Sequence, residues 1–322
     1  MIKIDILLAT YNPNLNYLKE QLISLNNQDF PNVELIVVDD CSDLEKYKQI
    51  GNLLEHHIQN FKYSLYRNEL NLGSNKTFEL LVNKSNSNYV AFCDQDDIWN
   101  EDKLTRLLNI IEHDNSTLVY SDLSIIDSFG NLIHDSLKKQ SRRIKHVYGK
   151  NRSSSFVLRN SVTGCSMIMK SEIAKEAIPF PEKELYVHDH WLALTASLKG
   201  EISYTPVPTV KYRIHENNQV GDSLLSGINN SNDYLVKKMN INLGRLEFLK
   251  KYVERLGTNK KFIEYWEKHC ETRLNYQKTG GFVNFAKMLK IFNKDPMVIG
   301  FEILLPWIPT QMQESFFKKV KN

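Results

Sequence analysis

Apolar and polar positions switch between two periods along the first 120 residues. Ile2–Leu8 is an apolar run of strand length. Across Asn14–Asn27, Leu15, Leu18, Leu22 and Leu25 recur at helical spacing, which predicts an amphipathic helix. Glu34–Val38 is a second buried run, broken by Asp39-Asp40, and a polar helix follows over about 43–58. Tyr63–Tyr66 reads as a short strand, Gly73–Val82 as a helix with Asn71 and Ser74 as cap candidates, and Tyr89–Cys93 as a strand. An acidic cluster comes next, then a helix over about 100–112.

This alternation predicts an α/β fold with a mainly parallel sheet and helices on both faces. Ligands of such sheets sit beyond the carboxyl ends of the strands. Three polar segments occupy those ends: Thr10-Tyr11-Asn12, Asp39-Asp40 and Asp94–Asp97. The second half is more mixed. Ser124–His134 alternates around Phe129-Gly130-Asn131 as a hairpin does. Lys138–Arg152 is basic and poor in apolar residues, as expected of a mobile loop. Ser166–Lys170, Ile202–Tyr204 and Thr209–Ile214 read as strands and Trp191–Leu198 as a short helix; from about Tyr234 the pattern is helical and basic.

Composition narrows the class. With 322 residues, 42% hydrophobic and 25% charged, the chain has the balance of a soluble globular protein. The four cysteines show no CxxC or CxxH spacing, which argues against zinc and fits a reducing cytoplasm. The N-terminus does not read as a signal peptide, because Asp5 interrupts a short apolar run and no cleavage site follows. No run reaches the roughly 20 apolar residues of a membrane span. A net charge of +3 does not point to nucleic acid.

Four segments carry candidate chemistry. Asp94-Gln95-Asp96-Asp97 gathers three carboxylates at a strand end, which is costly without a cation. Mg²⁺ or Mn²⁺ shared with a substrate diphosphate would answer that cost, and an acidic first helical turn is the plain alternative. Asp39-Asp40 suits an acceptor for a nucleotide base, or a turn before a capped helix. Asp189, between His188 and His190 and before Trp191, suits a general base for an acceptor hydroxyl, or an N-cap. Arg213 and His215 suit a diphosphate clamp or a metal shell, or a solvated loop.

In order, ILLATYN, ELIVVDDCSD, NLGSNKTF, YVAFCDQDDIW, YSDLSIID, VTGCSMIMK, HDHWLAL and YRIHENN resemble family 2 of the glycosyltransferases, inverting enzymes of the GT-A fold. The second half is similar to bacterial rhamnosyltransferases of cell-wall and capsular polysaccharide synthesis. The resemblance implies a GT-A domain over 1–225, with a nucleotide-sugar half to 120 and an acceptor half after it, and a C-terminal helical region over 226–322. It implies that Thr10, Tyr11 and Asp40, with Asp39 beside them, contact the nucleoside. Asn71, Gly73 and Asn75 would shape the nucleotide-side loop. Asp96 would bind the metal, with Asp94 facing the ribose or the metal, and His215 near the diphosphate and in support of the metal. Asp189 would be the base, with His188, His190, Trp191 and Arg213 on the acceptor and diphosphate side. Where similar rhamnosyltransferases run Asp-Trp directly, this chain inserts His190.

The implied donor is dTDP-rhamnose, with a UDP-hexose second, and the implied acceptor is a lipid-linked saccharide. A nucleotidyltransferase is disfavoured because Thr10–Pro13 has no glycine. A non-catalytic nucleotide- or carbohydrate-binding module is disfavoured by the retained carboxylates. Met297–Ile308, followed by Phe316-Phe317-Lys318-Lys319, suits either peripheral contact with an anionic membrane or an ordinary core helix with a solvated tail. The expected place is the cytoplasm, or the inner face of the plasma membrane.

Overall fold

A computed structural model describes residues 1–140, 145–216, 228, 230–257, 261–309, 311–313 and 317. The chain divides into two compact units, Met1–Glu216 and Asn217–Asn322.

The first unit begins with the alternation that the apolar pattern predicts. Strand β1 (Ile4–Thr10) leads to helix α1 (Leu15–Asn26), β2 (Val33–Asp39), α2 (Leu44–His57), β3 (Lys62–Arg67), α3 (Ser74–Lys84) and β4 (Tyr89–Cys93). Alternate residues Ile4, Ile6 and Leu8 of β1 meet Leu35 and Val37 of β2 and the Leu18, Leu22 and Leu25 stripe of α1 in one buried cluster. Each such side chain contributes roughly 1.5–3 kcal/mol when fully buried. A short β5 (Ile98–Trp99) precedes α4 (Lys103–His113), β6 (Leu118–Ile126) and β7 (Leu132–His134). The remainder comprises α5 (Leu137–Gln140), α6 (Ser153–Phe156), β8 (Met167–Lys170), α7 (Ser171–Glu176), α8 (His188–Lys199) and β9 (Ile202–Arg213).

Among the described residues the sheet has nine strands in the order β3-β2-β1-β4-β8-β6-β9-β5, with β7 on β6. Strands β3, β2, β1 and β4 are mutually parallel, and β6 and β9 are parallel to each other. The antiparallel strand β8 sits between β4 and β6. This is the GT-A arrangement: a mainly parallel mixed sheet between helices.

Several elements differ from the sequence pattern. The two strands expected around Pro206 and Pro208 are one strand, β9, whose register against β6 shifts between Ser121 and Leu123. The shift absorbs the prolines, which cannot donate to the ladder. Helix α8 begins at His188 rather than Trp191, so Asp189 lies in its first turn and Val187 is the cap residue. The His188 N–H, one of the first-turn amides that lack a partner within the helix, donates to Asn75 Oδ1 at 2.8 Å. Part of the basic stretch 138–152 is ordered: α5 opens it, and Gly149 bridges to Ile202. Positions 141–144 of that stretch lie outside the described residues.

The second unit contains α9 (Ser231–Tyr234), a π-helical turn, α10 (Asn240–Leu256), α11 (Lys261–Thr279), α12 (Phe282–Ile291) and α13 (Pro296–Leu304). Glu302, the one charge within the apolar run 297–308, is fully buried. Arg273 Nε donates to its Oε2 at 2.7 Å, and the Tyr234 hydroxyl donates to Oε1. Phe317 is buried with Tyr234, Met239 and Leu305, while Phe316, Lys318 and Lys319 lie outside the described residues. No helix among the described residues is long and apolar enough to cross a membrane.

Candidate active site

The parallel strands set three polar segments at one sheet edge. Thr10 is in register with Asp39, and Leu8 with Cys93, so the residues after β1, β2 and β4 emerge side by side. Asp39 is fully buried; it accepts from Thr10 Oγ1 at 3.1 Å and from Ser42 N at 2.9 Å, with Arg67 Nε 3.7 Å away. Asp40 holds the next loop. Its carboxylate accepts from Asn68 Nδ2, Leu72 N and Gly73 N, each at 2.8 Å. Asn71 Oδ1 also accepts from Gly73 N, at 3.1 Å, and Gly73 takes φ +80°, a conformation that suits glycine. Tyr11 stands half exposed above these loops.

Asn75 lies inside the protein. Its Nδ2 donates to the carbonyls of Pro181 and Tyr186 at 2.9 and 2.7 Å. With the His188 N–H on Oδ1, it fixes the start of α8 rather than the loop 71–73.

The acidic segment is clamped from both sides. Gln95 Oε1 accepts from Tyr11 N at 2.9 Å, and Gln95 Nε2 donates to Tyr11 O at 3.3 Å. From the other side, Arg213 N donates to Asp97 Oδ1 at 3.0 Å, and Arg213 Nε to the Asp96 carbonyl at 2.8 Å. Its guanidinium pairs with Glu20 and lies 4.4 Å over the Tyr17 ring. Arg213 is fully buried, so its contacts support the acidic loop.

Charge accumulates beneath this loop. Burial, then Asp97, Asp96 and Asp189, raise Asp94 well above the usual carboxylate range. Burial and the neighbouring Asp96 raise Asp97 to about 7, and Asp97 Oδ2 is buried without a hydrogen-bond partner among the described residues. The Lys103 ammonium lies below, fully buried, 3.0 Å from the Trp99 ring centroid and bonded to the Cys165 carbonyl. Burial pulls Lys103 down to about 7.

Among the described residues, Asp94, Asp97 and Cys165 are the group with ligand atoms all within 4.8 Å of one another. Burial raises the Cys165 thiol well above its ordinary value, which disfavours the thiolate that binds metals. Asp96 instead meets His215, whose Nε2 is 2.9 Å from Asp96 Oδ2. An unneutralised Asp94 beside an Asp96–His215 pair fits a hard divalent cation better than the thiol-containing group does.

Asp189 is held from two directions. Asn160 Nδ2 donates to Oδ1 at 3.0 Å and Gly164 N to Oδ2 at 3.3 Å. Burial raises its carboxyl to about 6, against the lowering effect of backbone N–H donors from His190 and Gly164. His188 stacks on Phe78 at 4.0 Å between ring centroids, and burial lowers it to about 3, so it is neutral. His190 bonds the Phe156 carbonyl at 2.6 Å, and Trp191 Nε1 donates to the Ala177 carbonyl at 2.8 Å. Both are buried, so they anchor α8 rather than line the crevice.

The family model described as Glycosyl transferase family 2 matches residues 5–176, more than half of the chain. The chain belongs to family 2 of the glycosyltransferases.

An uncharacterized glycosyltransferase of Methanocaldococcus jannaschii is 26% identical over 60% of this chain and 65% of its own length. The chain therefore spans just under two thirds of that relative. The dTDP-rhamnosyl transferase RfbG of Shigella flexneri is 26% identical over 67% of this chain and 74% of its own. The structure of the mannosyltransferase PcManGT from Pyrobaculum calidifontis, in complex with GDP-Man and Mn²⁺, superposes with a TM-score of 0.55. That match has 14% identity and covers 99% of this chain and 86% of the other, a likeness of fold.

Sequence reasoning missed several residues of this candidate site. Lys103 had a signal: it sits in phase with the buried Leu107 and Ile111 of α4, a lysine on an apolar face. Gln95 sat unread inside the acidic motif. Gly164 stands inside the VTGCSMIMK stretch, but its role, like those of Asn160 and Glu20, is not legible locally, because their partners are 25, 29 and 193 residues away.

Proposed function

We propose that the chain is an inverting transferase that moves a sugar from a nucleoside diphosphate to a saccharide acceptor, with Asp189 as general base. The observation that supports this reading is geometric: Asp189 Oδ2 accepts from Gly164 N at 3.3 Å, and the next residue, Cys165, has its thiol within 4.8 Å of carboxylate oxygens of Asp94 and Asp97.

Asp189 Oδ2 takes the proton of the acceptor hydroxyl. The hydroxyl oxygen attacks the anomeric carbon from the face opposite the diphosphate, and the bond to the diphosphate oxygen breaks with its electron pair leaving on that oxygen. Asn160 and Gly164 orient the carboxylate, and burial keeps its basicity near neutrality. A divalent cation, Mn²⁺ or Mg²⁺, held by Asp94, Asp96 and His215, would neutralise the charge that develops on the diphosphate. Thr10, Tyr11, Asp39, Asp40 and the loop 71–73 form the nucleoside side.

The donor is dTDP-rhamnose. Support comes from the resemblance of the second half to rhamnosyltransferases and from the similarity to RfbG. A saccharide carried on a lipid is the acceptor that this resemblance implies. Hydrolysis assayed across dTDP-, UDP- and GDP-sugars, with Mn²⁺ or Mg²⁺ and with chelator, tests the reading. Metal-dependent turnover of dTDP-rhamnose is expected. Preference for a UDP-hexose would replace the sugar, and turnover undiminished by chelator would remove the metal.

A further inference from the structure

The C-terminal unit carries charge and apolar surface that the proposed reaction does not use. Residues 217–322 hold 17 Lys and Arg against 10 Asp and Glu, a net +7, whereas residues 1–216 hold 24 against 28, a net −4. The small overall charge of +3 hides this division.

Helices α12 and α13 bury one side each in a shared cluster around Tyr276, Met288 and Ile299. Their other sides are bare among the described residues. On α12, Phe282 is 83% exposed, Val283 67% and Leu289 52%, and the exposed Lys287 and Lys290 alternate with them. On α13 and the turn after it, Met297 is 61% exposed, Leu304 59% and Trp307 79%. Large exposed apolar residues on two helices that pack together are the kind of surface that marks a protein or membrane contact.

We propose that this face of the C-terminal unit docks on an anionic lipid bilayer. The apolar side chains would enter the boundary between headgroups and acyl chains, with Trp307 at the interface and Lys287 and Lys290 at the lipid phosphates. Helix α13 has nine residues, too few to span, so the contact is peripheral. Two copies of this chain packing through the same face would bring two units of net +7 together, which opposes self-association there. The proposal does not depend on which sugar is transferred, because its test is a binding measurement.

Co-sedimentation of the full chain with phosphatidylglycerol-containing vesicles, against pure phosphatidylcholine vesicles, decides the matter. Two variants are compared: Met297→Ser with Leu304→Ser and Trp307→Ser, and Lys287→Glu with Lys290→Glu. The wild type is expected to pellet with the anionic vesicles and to be partly released by salt. Each variant is expected to partition about tenfold less while keeping its melting temperature and its nucleotide-sugar hydrolysis. Partition of either variant equal to that of the wild type, no preference for anionic vesicles, or a wild-type dimer that the serine variant dissociates would each overturn the proposal.

Discussion

The backbone N–H of Gly164 donates to the carboxylate of Asp189 at 3.3 Å, while its Cα lies against the imidazole of His188. A Cβ at position 164 would fall 2.9 Å from His188 Nε2 and 3.6 Å from the Asp189 Cβ. The glycine is thus a spacer that lets the chain approach the Asp189 carboxylate closely enough to orient it. His188 cannot retreat easily, because Phe78 is stacked on its ring.

Gly164→Ala is therefore expected to move Asp189 and lower kcat roughly 10–100-fold, since misplacement by about 1 Å costs that much. Donor KM should stay within about twofold, because the nucleoside-side residues are elsewhere. Steady-state kinetics of the variant provide the check. A rise in KM with kcat intact would place Gly164 on the donor side instead.

Lys103→Met keeps the length of the side chain and removes its charge. It strips the Cys165 carbonyl of its ammonium donor and the Trp99 ring of the cation over it. A loss of ~1–3 kcal/mol is expected, the cost of leaving a buried acceptor without its donor. Urea unfolding of wild type and variant measures it. A loss below about 1 kcal/mol would mean that Lys103 acts only as packing.

Without a divalent cation, stability should vary with pH in an unusual sense. Asp97 and Asp189 have folded values, about 7 and about 6, above the ordinary carboxylate value. The folded state holds those protons more tightly, so their stabilisation is complete below about 4 and is lost as pH rises toward 7. Lys103 is lowered to about 7, so it gives stability back as pH rises above 7. Melting in chelator should show a lower midpoint at pH 7 than at pH 5, recovered at pH 7 by Mn²⁺. A metal-free midpoint that is highest at pH 7 would contradict this.

The fold was legible where burial is local. The runs that became β1, β2 and β4 are mostly apolar, with Asp5 and Glu34 the interior exceptions, and the Leu15–Leu25 stripe turns once every 3.6 residues. Strand β9 was read as two because two prolines interrupt it, and only its pairing with β6 shows how they are accommodated. The start of α8 was placed three residues late because Asn75, 113 residues before His188, satisfies its first amide. The acidic motif announced itself by like charges in a row, but Asp189's supports come from Asn160 and Gly164, whose role exists only after folding. Arg213 looked like a diphosphate ligand because a cation followed a strand; its pairing with Glu20 of α1 is a tertiary fact.

Asp189→Asn tests the account most directly. The amide keeps the size and can keep one of the contacts from Asn160 and Gly164 through its single oxygen, but it cannot accept a proton as a carboxylate does. Nucleotide-sugar binding by calorimetry and transfer to an acceptor saccharide are measured on the same preparation, and wild-type transfer is followed against pH. The account predicts binding within about twofold of wild type, transfer reduced roughly 10²–10⁴-fold, and a wild-type rate that falls as pH drops through about 6. Transfer at the wild-type rate in Asp189→Asn, with the acid limb unchanged, would contradict it.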